Sequence, residues 1–95
     1  MIIKNASVYT EDGIFLTRDI YIEGDSFADG KENLSDMREI DASGCFALPG
    51  LTDIHFHGCM GHDFCDGSRE AVDAMAAYEA SVGVTNIVPA TMTLS

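Results

Sequence analysis

The chain has 95 residues, 46% of them hydrophobic and 22% charged, the balance of one small globular domain. Its net charge of −11 comes from 16 acidic against 5 basic residues, and none of Lys4, Arg18, Lys31, Arg38 and Arg69 clusters with another. That excludes the basic patch a nucleic-acid partner requires, and no apolar run approaches the roughly 20 residues that cross a bilayer, which argues against a membrane partner.

Met1-Ile2-Ile3 is apolar, but Lys4-Asn5 follows at once, so the long apolar core of a secretion signal is missing. A cytoplasmic location is the default expectation. Cys45, Cys59 and Cys65 form an odd set, which suits free thiols or a metal site better than a disulfide framework.

Residues 2–10 read as a strand, with Val8 and Tyr9 favouring extended chain. Glu11-Asp12-Gly13 signals a turn, and 14–17 resumes the extended chain as a hairpin. Residues 19–23 alternate, with Ile20 and Ile22 on one face, before a turn at Glu23-Gly24-Asp25 and a short strand over 26–28. Residues 29–38 are polar and aperiodic and read as an exposed loop. A short strand over 39–41, a turn at Ala42-Ser43-Gly44 and an apolar stretch over 45–48 follow, with Cys45 expected to pack. Residues 1–48 therefore read as a small β domain of antiparallel strands, a β-sandwich or part of one.

The character changes at Pro49-Gly50. Residues 51–56 form a strand candidate without clean alternation, as expected for a strand buried on both faces. A loop rich in glycine (Gly58, Gly61, Gly67) leads to a helix over about 69–82, with Ser68 as N-cap, Glu70 in the first turn and Gly83 as the stop. Val72, Met75, Ala76, Tyr78 and Val82 are its expected buried face. A second apolar strand covers 84–90. Residues 49–95 thus read as one strand–helix–strand unit with a parallel pair, making the whole chain α/β.

The chemistry concentrates around the first of these strands. His55 and His57 are two apart, so both imidazoles lie on one face at the strand's end and can grip one metal ion together. Asp53 shares that face and can order the strand or orient a histidine. His55, His57, Cys59, His62 and Cys65 place five potential ligands within eleven residues, which keeps a small structural zinc site in view. The C-x5-C spacing fits such a site poorly. His62 reads as a polar loop residue, and Cys59 and Cys65 as small loop fillers, since the sequence specifies no base to activate them.

Pro49-Gly50-Leu51-Thr52-Asp53-Ile54-His55-Phe56-His57-Gly58 resembles the first-strand motif of the amidohydrolase superfamily. Residues 2–6 and 19–23 look like the small β domain, and 40–44 with 48–50 like the lead-in, that precede the barrel in many members. His57-Gly58-Cys59-Met60-Gly61-His62-Asp63-Phe64 and the stretch 83–93 are similar to the corresponding loop and second strand of N-acetylglucosamine-6-phosphate deacetylases. Dihydroorotases and hydantoinases share the His-x-His but generally not this loop.

The resemblance implies the fold and the chemistry. The chain would hold a small β-sandwich portion followed by the first βαβ unit of a truncated (β/α)8 barrel. The parent would be a hydrolase that removes the acetyl group of N-acetylglucosamine 6-phosphate, in amino-sugar catabolism, giving glucosamine 6-phosphate and acetate. His55 and His57 would hold a divalent metal, with zinc or iron expected, and the whole enzyme would be a dimer. The family's remaining ligands, a glutamate and two more histidines, and its aspartate acid/base match no segment present here. Some members lack the first-strand histidines and use a single metal; this sequence has both.

A complete barrel takes about 200 residues or more, so the chain is expected to be a fragment without activity alone. The alternatives are another amide or cyclic-amide hydrolase of the superfamily, or a non-catalytic metal-binding or oligomeric module that pairs its open edges with copies of itself.

Overall fold

The computed structural model describes residues 1–93, which fall into two compact units, Met1–Pro49 and Gly50 onward. The first unit is a single five-stranded sheet. Its strands are β1 (Ile2–Tyr9), β2 (Phe15–Glu23), β3 (Ser26–Ala28), β4 (Glu39–Asp41) and β5 (Phe46–Ala47), in the order β3-β2-β1-β4, with β5 also on β1.

The β1–β2 hairpin turns at Gly13, whose φ of 76° is one that glycine adopts freely. β2 is continuous, so the two extended stretches expected over 14–17 and 19–23 are one strand. Gly24-Asp25 closes the β2–β3 hairpin between Glu23 and Ser26.

The sheet is mixed, which corrects the expectation of antiparallel pairing throughout. β4 and β5 both run parallel to β1, end to end along the same edge. They behave as one strand interrupted by a turn at residues 42–45. Asp41 Oδ1 accepts from the Ser43 N–H (3.0 Å) and hydroxyl (2.6 Å), and Cys45 N–H donates to Ala42 O (2.9 Å). β1 answers that turn with a bulge. Its register shifts between Ile3 and Ala6, and Asn5 takes a φ of 63°. The Asn5 amide donates to Asp41 Oδ1 (3.2 Å), and its N–H donates to Asp19 Oδ1 (3.0 Å). Asparagine tolerates this conformation, and its side chain on one side and its backbone N–H on the other tie the bulge to both neighbours.

The buried apolar residues of this unit are Ile2, Ala6 and Ala42. The described residues supply one sheet and no second layer over it, and Tyr9, Phe15 and Phe46 form an exposed aromatic stack with ring centroids 5.3 and 5.1 Å apart. Cys45 is exposed, against the expectation that it packs. The polar stretch 29–38 contains one 3-10 turn, Lys31–Asn33.

The second unit contains β6 (Leu51–Phe56), a small hairpin of β7 (Gly58–Cys59) and β8 (His62–Asp63), a 3-10 turn (Phe64–Asp66), helix α1 (Arg69–Ser81) and β9 (Val84–Pro89). β6 and β9 are parallel neighbours connected through α1. The helix starts where the sequence signals it: Ser68 Oγ accepts from Ala71 N–H at 3.1 Å. It ends at Gly83, whose φ is 91° and whose N–H donates to Ala80 O at 3.1 Å.

The buried face of α1 is Ala71, Met75 and Glu79, one residue per turn. Val72, Ala76, Tyr78 and Val82, expected on that face, are exposed. Phe56, Ala71 and Met75 make the core, with Cys59, Phe64 and Ile87 against it. The expectation of a strand buried on both faces also fails for β6. Only Phe56 is buried, while Leu51 and Ile54 are 63% and 78% exposed. The two-stranded sheet is too narrow to be covered on both sides by one helix. Among the described residues, no helix is long and apolar enough to cross a membrane.

Candidate functional site

β6 is not a regular strand, and its irregularities aim the histidines. Asp53 pairs with Ile87 and Phe56 with Pro89, so three steps on β6 match two on β9. The extra residue bends the strand just before its end, as bulges beside functional sites commonly do. Within this bulge the His55 N–H donates to Asp53 Oδ1 at 3.1 Å. Asp53 therefore orders the backbone that carries His55.

At this end of the strand Phe56 enters the core and both histidines lie on the opposite face. Their Nε2 atoms lie 2.9 Å apart, with ring centroids 4.7 Å apart at 64°. In such a contact one nitrogen carries the proton and the other offers the lone pair. His57 Nδ1 is buried and has no hydrogen-bond partner.

This donor set suits a divalent metal. The two Nε2 atoms lie within reach of one common ion, which would replace their mutual contact, and imidazole nitrogen is a strong ligand for zinc and its neighbours. Two nitrogens on one tetrahedral zinc, at about 2.0–2.1 Å each, stand about 3.3 Å apart, so a few tenths of an ångström of ring movement accommodates an ion. Two histidines make only part of a metal site. The described residues hold no group of three or more His, Cys, Asp or Glu able to bind an ion.

The strand's end is gripped from two sides. Ala90 N–H, just past β9, donates to Phe56 O at 2.9 Å, and Phe64 N–H donates to the next carbonyl, His57 O, at 3.1 Å. Gly58 follows immediately and pairs with Asp63 across the β7–β8 hairpin. A Cβ at Gly58 would collide with the His62 carbonyl and the Asp63 Cα, so the close approach admits only glycine. The hairpin turns on Met60 and Gly61, at φ 53° and 78°.

His62 is not directed at the histidine pair by any contact. It lies in β8, with Nδ1 3.9 Å from Asp66 Oδ2. Cys59 packs against the core, and burial, with the Glu79 carboxylate, pushes its thiol up. The Cys65 Sγ accepts from Met92 N–H (3.3 Å) and lies 3.8 Å from Met92 O, fastening the stretch after β9 to the loop. These arrangements bring His55 and His57 together and leave His62, Cys59 and Cys65 in local roles.

Two residues with a part in the site's geometry, Asp63 and Asp66, were not singled out in the sequence. Asp63 Oδ1 accepts from Cys65 N–H (2.7 Å), and Asp66 Oδ2 accepts from Asp63 N–H (3.0 Å), a reciprocal capping box around the 3-10 turn. The Cys65 hydrogen bonds hold the Asp63 carboxyl below its ordinary value, with a smaller contribution from His57. The signal was present as an acid three residues after an acid, the spacing of a capping box.

No family profile matches the chain. An N-acetylglucosamine-6-phosphate deacetylase from Lysinibacillus sphaericus is 28% identical over 97 aligned residues, covering the whole chain and 25% of the relative. The enzyme of that name from Vibrio furnissii is 41% identical over 46 residues, 48% of the chain and 12% of the relative. A dihydroorotase from Bacillus licheniformis is 41% identical over 58 residues, 59% of the chain and 14% of the relative. Among solved structures, an amidohydrolase from Thermotoga maritima matches 97% of the chain and 30% of its own length, with a TM-score of 0.61 at 21% identity, a likeness of fold. The chain thus resembles the N-terminal part of N-acetylglucosamine-6-phosphate deacetylase, and its relatives bear the names of amidohydrolase-superfamily hydrolases. It spans a quarter or less of the length of these curated relatives.

Proposed function

We propose that the chain is the N-terminal piece of a metal-dependent amidohydrolase whose parent polypeptide removes the acetyl group of N-acetylglucosamine 6-phosphate. The observation that carries this reading is the convergence of the His55 and His57 Nε2 atoms, 2.9 Å apart, at the end of β6. The whole-length similarity to the Lysinibacillus sphaericus deacetylase supports the substrate.

In this reading β6, α1 and β9 are the first strand, helix and second strand of a (β/α)8 barrel, preceded by part of a β-sandwich over residues 1–48. The exposure of Leu51, Ile54 and Val88 supports it, because a parallel sheet is normally covered on both faces. Active sites of such barrels are built from several loops at the strands' C-terminal ends, the end where His55 and His57 stand. His55 and His57 would supply two imidazole ligands for a divalent ion, with zinc or iron the candidates. A bound ion supplies Lewis acidity, polarising the amide carbonyl and acidifying water. The chain's own contribution is to hold the two nitrogens together on an anchored strand. The parent would be a cytoplasmic, dimeric enzyme acting on a small sugar phosphate, and the 95 residues alone would not turn over substrate.

A second substrate reading rests on the Bacillus licheniformis similarity, 41% over 58 residues, which favours a cyclic-amide hydrolase of the same superfamily. Two chimeras separate the readings. This chain replaces the matching segment of the Lysinibacillus sphaericus deacetylase in one and of the Bacillus licheniformis dihydroorotase in the other, and each is assayed on its host's reaction. Turnover by the deacetylase chimera that disappears in the His55→Ala, His57→Ala double variant, with an inactive dihydroorotase chimera, is the expected result. An active dihydroorotase chimera beside a folded, inactive deacetylase chimera would favour the second reading.

A further inference from the structure

The contacts behind the histidine pair form a connected path from the glycine-rich loop to His57. At one end stands the capping box, with Asp63 Oδ1 on Cys65 N–H (2.7 Å) and Asp66 Oδ2 on Asp63 N–H (3.0 Å). This box fixes the 3-10 turn Phe64–Asp66, which Gly67 closes at a φ of 63° with its N–H toward Phe64 O. Phe64, the first residue of the turn, makes two contacts with the metal strand. Its N–H donates to His57 O at 3.1 Å. Its ring sits edge-on to Phe56, centroids 5.4 Å apart at 79°.

We propose that Asp63 and Asp66 are positioning residues for His57, acting through the Phe64 N–H that holds the His57 carbonyl. His57 stands one residue past the end of β6 and has no ladder partner, and its ring direction follows its backbone. The Phe64 N–H replaces the missing ladder contact. The aspartates preset that N–H, because without the box the 3-10 turn loses its cap and the Phe64 amide loses its fixed direction. The proposal rests on the metal reading above for its functional meaning and on the geometry alone for the positioning.

The test uses the 95-residue chain with Asp63→Ala, Asp66→Ala and Asp63→Asn. Two readouts are taken by NMR: exchange of the Phe64 amide without metal, and zinc chloride titration followed at the His55 and His57 ring resonances. Asp63→Ala and Asp66→Ala are expected to speed Phe64 exchange and weaken zinc binding about tenfold, the lower end of the effect of losing a residue that orients a ligand. Asp63→Asn keeps an acceptor at the cap and is expected to restore both. The α1 amides around Met75 serve as the control that the unit remains folded.

Unchanged Phe64 exchange in both alanine variants would overturn the proposal. So would zinc affinity that stays at the wild-type value while Phe64 exchange rises. Zinc that moves neither ring in the unsubstituted chain would instead sink the metal reading. Phe64 exchange and the His55–His57 ring contact, both read without metal, would then decide the positioning by themselves.

Discussion

The Phe56 and His57 carbonyls, consecutive at the end of β6, are held by two different segments: Ala90 N–H takes the first at 2.9 Å and Phe64 N–H the second at 3.1 Å. A strand end is ordinarily where a sheet frays. Here both sides of the last peptide groups are fastened, and the side chain fixed between the histidines, Phe56, is the one β6 residue buried in the core. The stability of the small core and the geometry of the histidine pair are therefore coupled through a single strand end.

That coupling makes Met75 the sensitive point of the second unit. It is fully buried against Phe56 and Ala71. Met75→Ala is expected to destabilise the unit by about 2–5 kcal/mol. Small domains carry only about 5–15 kcal/mol of stability, so this is a large share of the total. Urea denaturation followed by far-UV circular dichroism measures it, and a change below about 0.5 kcal/mol would contradict the assignment of this core.

Gly58 tests the close approach of the loop to the strand. A methyl group there meets the His62 carbonyl and Asp63 Cα, both backbone atoms that cannot swing aside. Gly58→Ala is expected to break the β7–β8 pairing and shift the Phe64 amide resonance, while the β1–β2 hairpin is unaffected. Chemical-shift mapping of the variant checks this. An unperturbed Phe64 amide would mean that the hairpin sits farther from the strand than described.

How much of this was legible in the sequence follows from the range of the signals. The helix was readable because its ends are set locally: Ser68 caps Ala71, and Gly83 takes the left-handed turn. The hairpin turn at Gly13 was readable for the same reason. The parallel pairing of β4 and β5 with β1 was not, because it depends on residues about 37–39 positions apart and on a bulge at Asn5 that no periodicity announces. The buried face of α1 was misplaced because the core it meets is small. Phe56 and Phe64 cover only the line through Ala71 and Met75, and the apolar Val72, Tyr78 and Val82 remain outside. The histidine pair was legible from spacing alone. The anchoring of His57 by Phe64 was not, since it is a backbone contact and carries no residue signature beyond the two aspartates.

The first unit has its own titratable tie. The Arg38 guanidinium donates to Asp36 at 2.7–3.1 Å, and Arg38 N–H adds a bond at 3.0 Å, which hold the Asp36 carboxyl down to about 2 from the usual 3.8. A lowered folded-state pKa contributes stability that is present above the unfolded value and is lost as pH falls through the folded one. The contribution is therefore complete above about pH 4–5 and fades toward pH 2. Arg38→Gln is expected to move the Asp36 titration back upward, read from its carboxyl carbon shift by NMR. An Asp36 titration unmoved by that substitution would contradict the ion pair.

Whether His55 and His57 bind one divalent ion together is decided by zinc binding to the 95-residue chain, measured by equilibrium dialysis. The expected result is one ion per chain, lost in either His55→Ala or His57→Ala and retained in His62→Ala, with the folded state of all three variants unchanged. Zinc retained in the His55→Ala, His57→Ala double variant, or lost in His62→Ala, would contradict it.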